Sequence, residues 1–205
     1  MLLRSLTFAA VLSIASVLPA AAAPIFLHAT LTGGQEVPPN ASTASGTANF
    51  VLNDAQTQLS FTATITGLDI TGSQSPGITA DNLVAAHIHA PAALGVNAGV
   101  RWGFFGTPDN DIAPDQLVVT PFASGLGGTF SSIWDLNEGN ATTLTAQLPS
   151  ILAGLSYINF HTVGFTGGEI RGQIVITPEP TSLLLFGSGV AVLTGMRRRK
   201  TPHAA

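Results

Sequence analysis

Short runs of alternating or β-branched residues recur between Ile25 and Ile176. They are Ile25–Leu31, Gly46–Leu52, Gln58–Ile65, Leu83–His89, Leu117–Phe122, Thr142–Leu148, Ser156–Thr162 and Glu169–Ile176. Alternation over such lengths predicts strands with one buried face. Pro121 makes Leu117–Phe122 an edge strand or a strand end, because proline has no N–H for a ladder. Breaker clusters separate the runs: Gly33-Gly34, Pro38-Pro39-Asn40, Gly72 to Gly77, Thr107 to Asp111 and Gly167-Gly168. Sustained helical periodicity is missing, and one short helix is expected at Leu148–Leu155. The stretch Ala90–Asp115 carries Gly, Pro and acids without alternation and reads as a loop excursion. Many short strands with Gly/Pro turns predict an all-β domain, a single antiparallel β-sandwich.

The two ends break this pattern. Residues 1–22 read as a secretory signal: Arg4 supplies a positive start, Leu6 to Leu18 an apolar stretch, and Ala20 to Ala23 the small residues that signal peptidase needs. At the other end, Pro178-Glu179-Pro180 precedes an apolar run at 181–196 and the cluster Arg197-Arg198-Arg199-Lys200. As a helix that run rises roughly 24 Å, short of a ~30 Å hydrocarbon core. Snorkelling arginines cover the shortfall and place the cluster on the cytoplasmic side. The triplet, apolar run and basic cluster at 178–200 resemble the PEP-CTERM sorting signal. The resemblance implies cutting by an exosortase near the triplet. It also implies export to the envelope, surface or matrix of a Gram-negative bacterium that makes exopolysaccharide, after transient anchoring in the inner membrane. The remaining 23–177 is one domain.

Composition sharpens this reading. Only 9% of the 205 residues are charged, against about 25% in an average soluble domain. Five of the seven basic residues lie in the two ends. The domain keeps Arg101 and Arg171, no lysine and ten acids, a formal charge of −8. An acidic, lysine-free domain excludes nucleic-acid binding. The absence of cysteine excludes disulfides, thiolate metal sites and a Cys nucleophile. No Walker loop, dinucleotide fingerprint or nucleophile elbow is present.

Alternation also sorts candidate chemistry onto faces. His87 and His89 share one face of their strand; Tyr157, Asn159 and His161 share one face of theirs; Glu169, Arg171 and Gln173 share another. Were these strands neighbours, one surface would collect His87, His89, Asn159, His161, Glu169 and Arg171. The segments Leu31–Pro39, Ala86–Ala90, Tyr157–Thr162 and Gly168–Ile174 resemble the CHRD domain, a module named from chordin. They span nearly all of the domain; Phe160 stands where a smaller aliphatic is common, and 72–79 and 109–135 match poorly. The resemblance implies an immunoglobulin-like or superoxide-dismutase-like sandwich and no particular enzymatic activity. It also implies that His161 approaches His87 and His89.

Two functions follow as expectations. The first is a non-enzymatic binding or structural module that contacts polysaccharide or surface proteins. The second is a metal protein in which His87, His89 and His161 hold Cu or Zn, with redox or hydrolytic chemistry at an open position. The same imidazoles read equally as a structural network, hydrogen-bonded to Asn159, Glu36 or loop carbonyls and fixing the sheet. Glu36 or Glu169 would add an oxygen to the metal, or Glu36 would lock its loop to Arg171 or a histidine. Arg171 is expected to fork to a carboxylate or to loop carbonyls. Trp102, Phe104 and Phe105 read as core residues or, if exposed, as a row for stacking on sugars, and Asp109, Asp111 and Asp115 as a solvated loop or part of a calcium loop.

Overall fold

The computed structural model describes residues 23–178. Ten antiparallel strands form one sheet: β1 (Ile25–Thr32), β2 (Ser45–Leu52), β3 (Gln58–Thr66), β4 (Leu83–His89), β5 (Val100–Phe105), β6 (Val118–Pro121), β7 (Gly127–Asp135), β8 (Tyr157–Thr162), β9 (Ile170–Gln173) and β10 (Val175–Ile176). Among the described residues one α-helix, α1 (Leu144–Leu152), lies between β7 and β8, and a single 3-10 turn at Gly33–Gln35 follows β1. The strand order is β5-β4-β8-β9-β1-β2-β3-β7-β6, and β10 pairs with β1.

The sheet curls until its two wings face each other. Strands far apart in the ladder meet through aromatic rings. Trp102 of β5 stacks on Trp134 of β7, with centroids 5.4 Å apart and planes 1° apart. Phe61 of β3 meets Phe104 of β5 at 4.8 Å. Phe130 of β7 meets Phe160 of β8 edge-on at 5.2 Å. Aromatic packing of this kind adds about 0.5–1.5 kcal/mol per pair beyond area burial. The expected all-β, antiparallel, sandwich-like domain is what the chain forms, with a continuous sheet supplying both layers.

Several local expectations need correction. Thr142–Leu148, read as a strand, opens α1. Its apolar residues Leu144, Leu148 and Ile151 follow helical i, i+4, i+7 spacing and all point into the core. The Thr143 side chain caps the helix by accepting from the Ala146 N–H at 3.3 Å. The helix therefore begins four residues before the expected Leu148–Leu155 and ends at Leu152. The presumed loop Ala90–Asp115 contains β5, whose Trp102-Gly103-Phe104 is buried whole and so shows no alternation. Strand β7, not foreseen, pairs residue for residue with β3 from Asp135 to Gly127. Glu169–Ile176 is two strands, broken at Ile174. Leu117–Phe122 narrows to β6 at the end of the sheet, with Pro121 as its last residue.

Candidate metal centre

Strands β4, β8 and β9 lie side by side, and their register decides what meets. Ala85 pairs with His161, His87 with Asn159 and His89 with Tyr157. Asn159 pairs in turn with Arg171, and Tyr157 with Gln173. The inward face carries Ala86, Ile88, Ile158, Phe160 and Ile170, all fully buried in the core. The opposite face carries His87, His89, Tyr157, Asn159, His161 and Arg171. It is also buried, because three loops fold over it.

Each of those loops supplies one carbonyl to one imidazole. His87 Nε2 lies 3.1 Å from the Thr107 oxygen, His89 Nδ1 2.9 Å from the Ala98 oxygen, and His161 Nδ1 3.0 Å from the Thr166 oxygen. A carbonyl only accepts, so each of these nitrogens carries the ring's proton and donates it. The tautomers are thereby set, leaving lone pairs on His87 Nδ1, His89 Nε2 and His161 Nε2. One nitrogen from each ring lies within 4.8 Å of the other two. His87 Nδ1 and His161 Nε2 are 3.3 Å apart, two acceptors facing one another. His89 Nε2 is buried without any partner.

Burial keeps these rings neutral. It pushes His87 and His89 down to about 4 and lowers His161 as well. Nearby charge adds to the effect at His89, where Arg171 contributes. Three neutral imidazoles, each with one nitrogen fixed by a carbonyl and one within 4.8 Å of the other two, could hold a metal ion, the carbonyls acting as its outer shell. A metal at ~2.0–2.1 Å from each nitrogen would sit between them after small ring movements. Gly103, opposite His87, makes this possible: a Cβ there would stand 1.8 Å from the Pro108 oxygen. Its absence lets the Thr107–Asn110 loop approach.

The other expected residues separate into two groups. Asn159 and Arg171 adjoin the imidazoles, and Glu36 lies next to both of them. Arg171 sits 4.2 Å over the Tyr157 ring, which stacks at 4.6 Å on His89. Its guanidinium donates to Asn97 Oδ1 and the Val96 oxygen, so the fork goes to a loop, with no carboxylate. Burial raises Glu36 to about 7, against the opposing pull of Arg171 and Asn159. Glu169 leaves the cluster, because its oxygens accept from Ser42 Oγ and Thr162 Oγ1.

Of the two readings of the aromatics the structure shows the core one: Trp102 and Phe104 are fully buried and Phe105 packs against the core, so they form no row for sugars. Asp111 accepts from Ser132 Oγ at 2.6 Å and Asp109 from the Asp111 N–H. Among the described residues the three acids do not converge as His87, His89 and His161 do. Sequence reasoning missed Tyr157 as the ring between Arg171 and His89, although its parity with His161 was visible. It had no signal for Ala98, Thr107 and Thr166, which act through their backbone.

The CHRD-domain family model matches residues 27–174, which include every residue of this cluster. The chain belongs to the CHRD-domain family. A second model, the PEP-CTERM protein-sorting motif, matches residues 177–200. This CHRD-domain protein is therefore exported, envelope-targeted and processed by an exosortase-type sorting enzyme. No curated protein and no solved structure shows similarity to it. Residues 1–22, expected to be a leader, the apolar run 181–196, and Glu179, Pro180, Arg197, Arg198 and Arg199 lie outside the described residues. Among the described residues, no helix is long and apolar enough to cross a membrane.

Proposed function

We propose that this CHRD-domain protein binds a copper or zinc ion through His87, His89 and His161 once exported. One observation carries the reading: one nitrogen of each imidazole lies within 4.8 Å of the others, and three loop carbonyls pin the rings. A merely structural histidine network would use its nitrogens in donor–acceptor pairs. Here 3.3 Å separates two acceptors, and a third buried nitrogen has no partner. Leaving such an atom unpaired costs about 1–3 kcal/mol. Copper and zinc both take imidazole nitrogen. A three-nitrogen set leaves a position open for an exchangeable ligand and thus for Lewis-acid or redox chemistry.

Metal analysis of the purified domain 23–177 tests this. One equivalent of Cu or Zn is expected, lost in a His87→Ala/His89→Ala variant that stays folded. A protein free of metal, whose stability EDTA does not change, would refute the assignment.

A second reading, a surface module contacting polysaccharide, rests on the opposite wing. Thr30, Thr47, Thr64, Thr129 and Thr120 form one row across five adjacent strands. Strands stand ~4.8 Å apart, so the hydroxyls repeat at that spacing. Ser45, Thr66, Asn49, Thr62 and Ser131 extend the field, and no charged side chain interrupts these rows. Such a surface suits neutral, hydroxyl-rich polymers and supports a place in an exopolysaccharide matrix. Thr47→Ala/Thr64→Ala is expected to weaken retention on the host's polysaccharide severalfold in affinity electrophoresis, with unchanged melting. Equal retention of the variant would remove this reading and leave the metal assignment untouched.

A further inference from the structure

Between the loop after β1 and the loop after β8 lies a pocket of about 320 Å³, lined by Glu36–Asn40 and Gly164–Gly168. Pockets that hold small ligands run from roughly 300 to 1,000 Å³, so this one has room for a single sugar-sized ring. Its walls are tied together before any ligand arrives. Asn40 Nδ2 on one loop donates to the Gly168 and Glu169 carbonyls of the other at 3.2 and 3.0 Å. The Gly168 N–H turns back to the Phe165 carbonyl at 3.0 Å, and the Gly164 N–H donates to the Ala80 carbonyl at 2.7 Å. Part of the lining is apolar: Val37, Pro38, Pro39 and Phe165, an aromatic loop residue left 37% exposed. At Gly168 the pocket meets two idle acceptors. Glu36 and Asn159 are 5% and 2% exposed, and Glu36 Oε1 and Asn159 Oδ1 are buried without a hydrogen-bond partner. Such atoms are rare in native proteins and mark a missing partner or a functional role. Both lie within 2.8 Å of the point that a Cβ on residue 168 would occupy. Residue 168 is glycine at φ +128°, so no side chain closes that corner.

We propose that this pocket binds one pyranose unit of a neutral glycan, with two of its hydroxyls donating to Glu36 Oε1 and Asn159 Oδ1 and its C–H face lying on Phe165. A pair of unused acceptors asks for a ligand that brings hydrogens. A carboxyl oxygen keeps an accepting lone pair in either protonation state, so the fit does not depend on the charge of Glu36. Nor does it call for a cation. Arg171 already places a positive charge beside Glu36, and a second one there would be repelled. Neighbouring ring hydroxyls supply the hydrogens without charge. The C–H side of the same ring is apolar and matches an aromatic face, while the few polar groups fix its orientation. The site uses neither the three imidazoles nor the threonine rows, so it stands apart from both readings above.

Saturation-transfer NMR on the full-length protein tests this, in a detergent without sugar groups and with EDTA present to keep metal out of the result. The probes are methyl β-glucoside, methyl β-galactoside and methyl α-mannoside. Each is raised to about 100 mM, well above the ~1 mM scale of a weakly held small ligand. At least one is expected to bind. Phe165→Ala should weaken that binding about tenfold with an unchanged melting temperature, because the residue is exposed on a loop. Glu36→Met, which removes both oxygens and keeps the chain length, should weaken it by a similar factor. Thr47→Ala/Thr64→Ala should leave it unchanged. Binding of none of the three sugars, or equal binding by Phe165→Ala and the wild type, overturns the assignment. Loss confined to the threonine variant also overturns it and moves the sugar to the opposite wing. Should Glu36→Met not fold, Phe165→Ala decides alone.

Discussion

Metal-free protein is expected to lose stability as pH falls below about 6.5, and to lose most of it by about pH 4. The cause is that unfolded histidines bind protons near 6.5, whereas folded His87 and His89 do so only near 4. Between those values the unfolded chain holds more protons, so stability rises with pH and is fully present above 6.5. A drop from 6.5 to about 4 corresponds to about 3 kcal/mol per imidazole. His161 is shifted in the same direction by the same burial. Two carboxyls oppose the trend. Burial raises Glu36 from 4.5 to about 7 and Asp111 from 3.8 to about 6. Their contribution is present below the unfolded values and is lost as pH rises through the folded ones. With three imidazoles against two carboxyls the net still rises with pH, so stability should climb to about pH 7 and level off above it, where Glu36 and the unfolded imidazoles lose their protons over the same range. Urea midpoints in chelator across this range measure the profile. A flat profile below pH 6.5 would show that the imidazoles are not buried in neutral form.

Trp134→Ala is expected to destabilise the protein by about 3–5 kcal/mol, the usual cost of emptying a large buried site. Trp134 is fully buried, stacks on Trp102, and donates its indole N–H to the Glu138 carbonyl at 2.7 Å. It joins β7 to β5, which the ladder keeps at opposite ends of the sheet. Its loss opens a cavity between the wings and orphans the Glu138 carbonyl. The fall in melting temperature should be about 10 °C for a chain of this size. Trp134→Phe should recover more than half of that loss. A drop under about 3 °C for the alanine variant would mean that the wings do not depend on this stack.

How much of this was legible depended on burial. Strands with one wet face, such as β2 and β3, announced themselves by alternation. β4 is buried on both faces from Ala85 to His89, yet it alternates histidine with Ala and Ile, and Leu83–His89 has the bounds the pattern predicts. A buried strand without such alternation lost the signal. In β5 the run Trp102-Gly103-Phe104 is inside on every side, so it read as loop. β7 keeps alternation from Gly128 to Trp134, but its small hydroxyl residues hid it. The helix start at Thr143 was masked because Thr142 to Leu148 also fits a period of two, and only the core decided between periods.

The candidate site divides in the same way. Parity along a strand follows from backbone geometry, so the sequence alone put His87 with His89, and Asn159 with His161, on common faces. It likewise showed an acidic, lysine-free CHRD domain followed by a sorting motif, because both are recognised by local strings. It could not give the register that sets His87 beside Asn159 and Ala85 beside His161, because register is fixed by pairing partners distant in the chain. Nor could it give the three carbonyls of Ala98, Thr107 and Thr166. A backbone oxygen is the same in every residue, and only the folding of three loops over one sheet face makes those oxygens set three tautomers and turn three lone pairs toward one point.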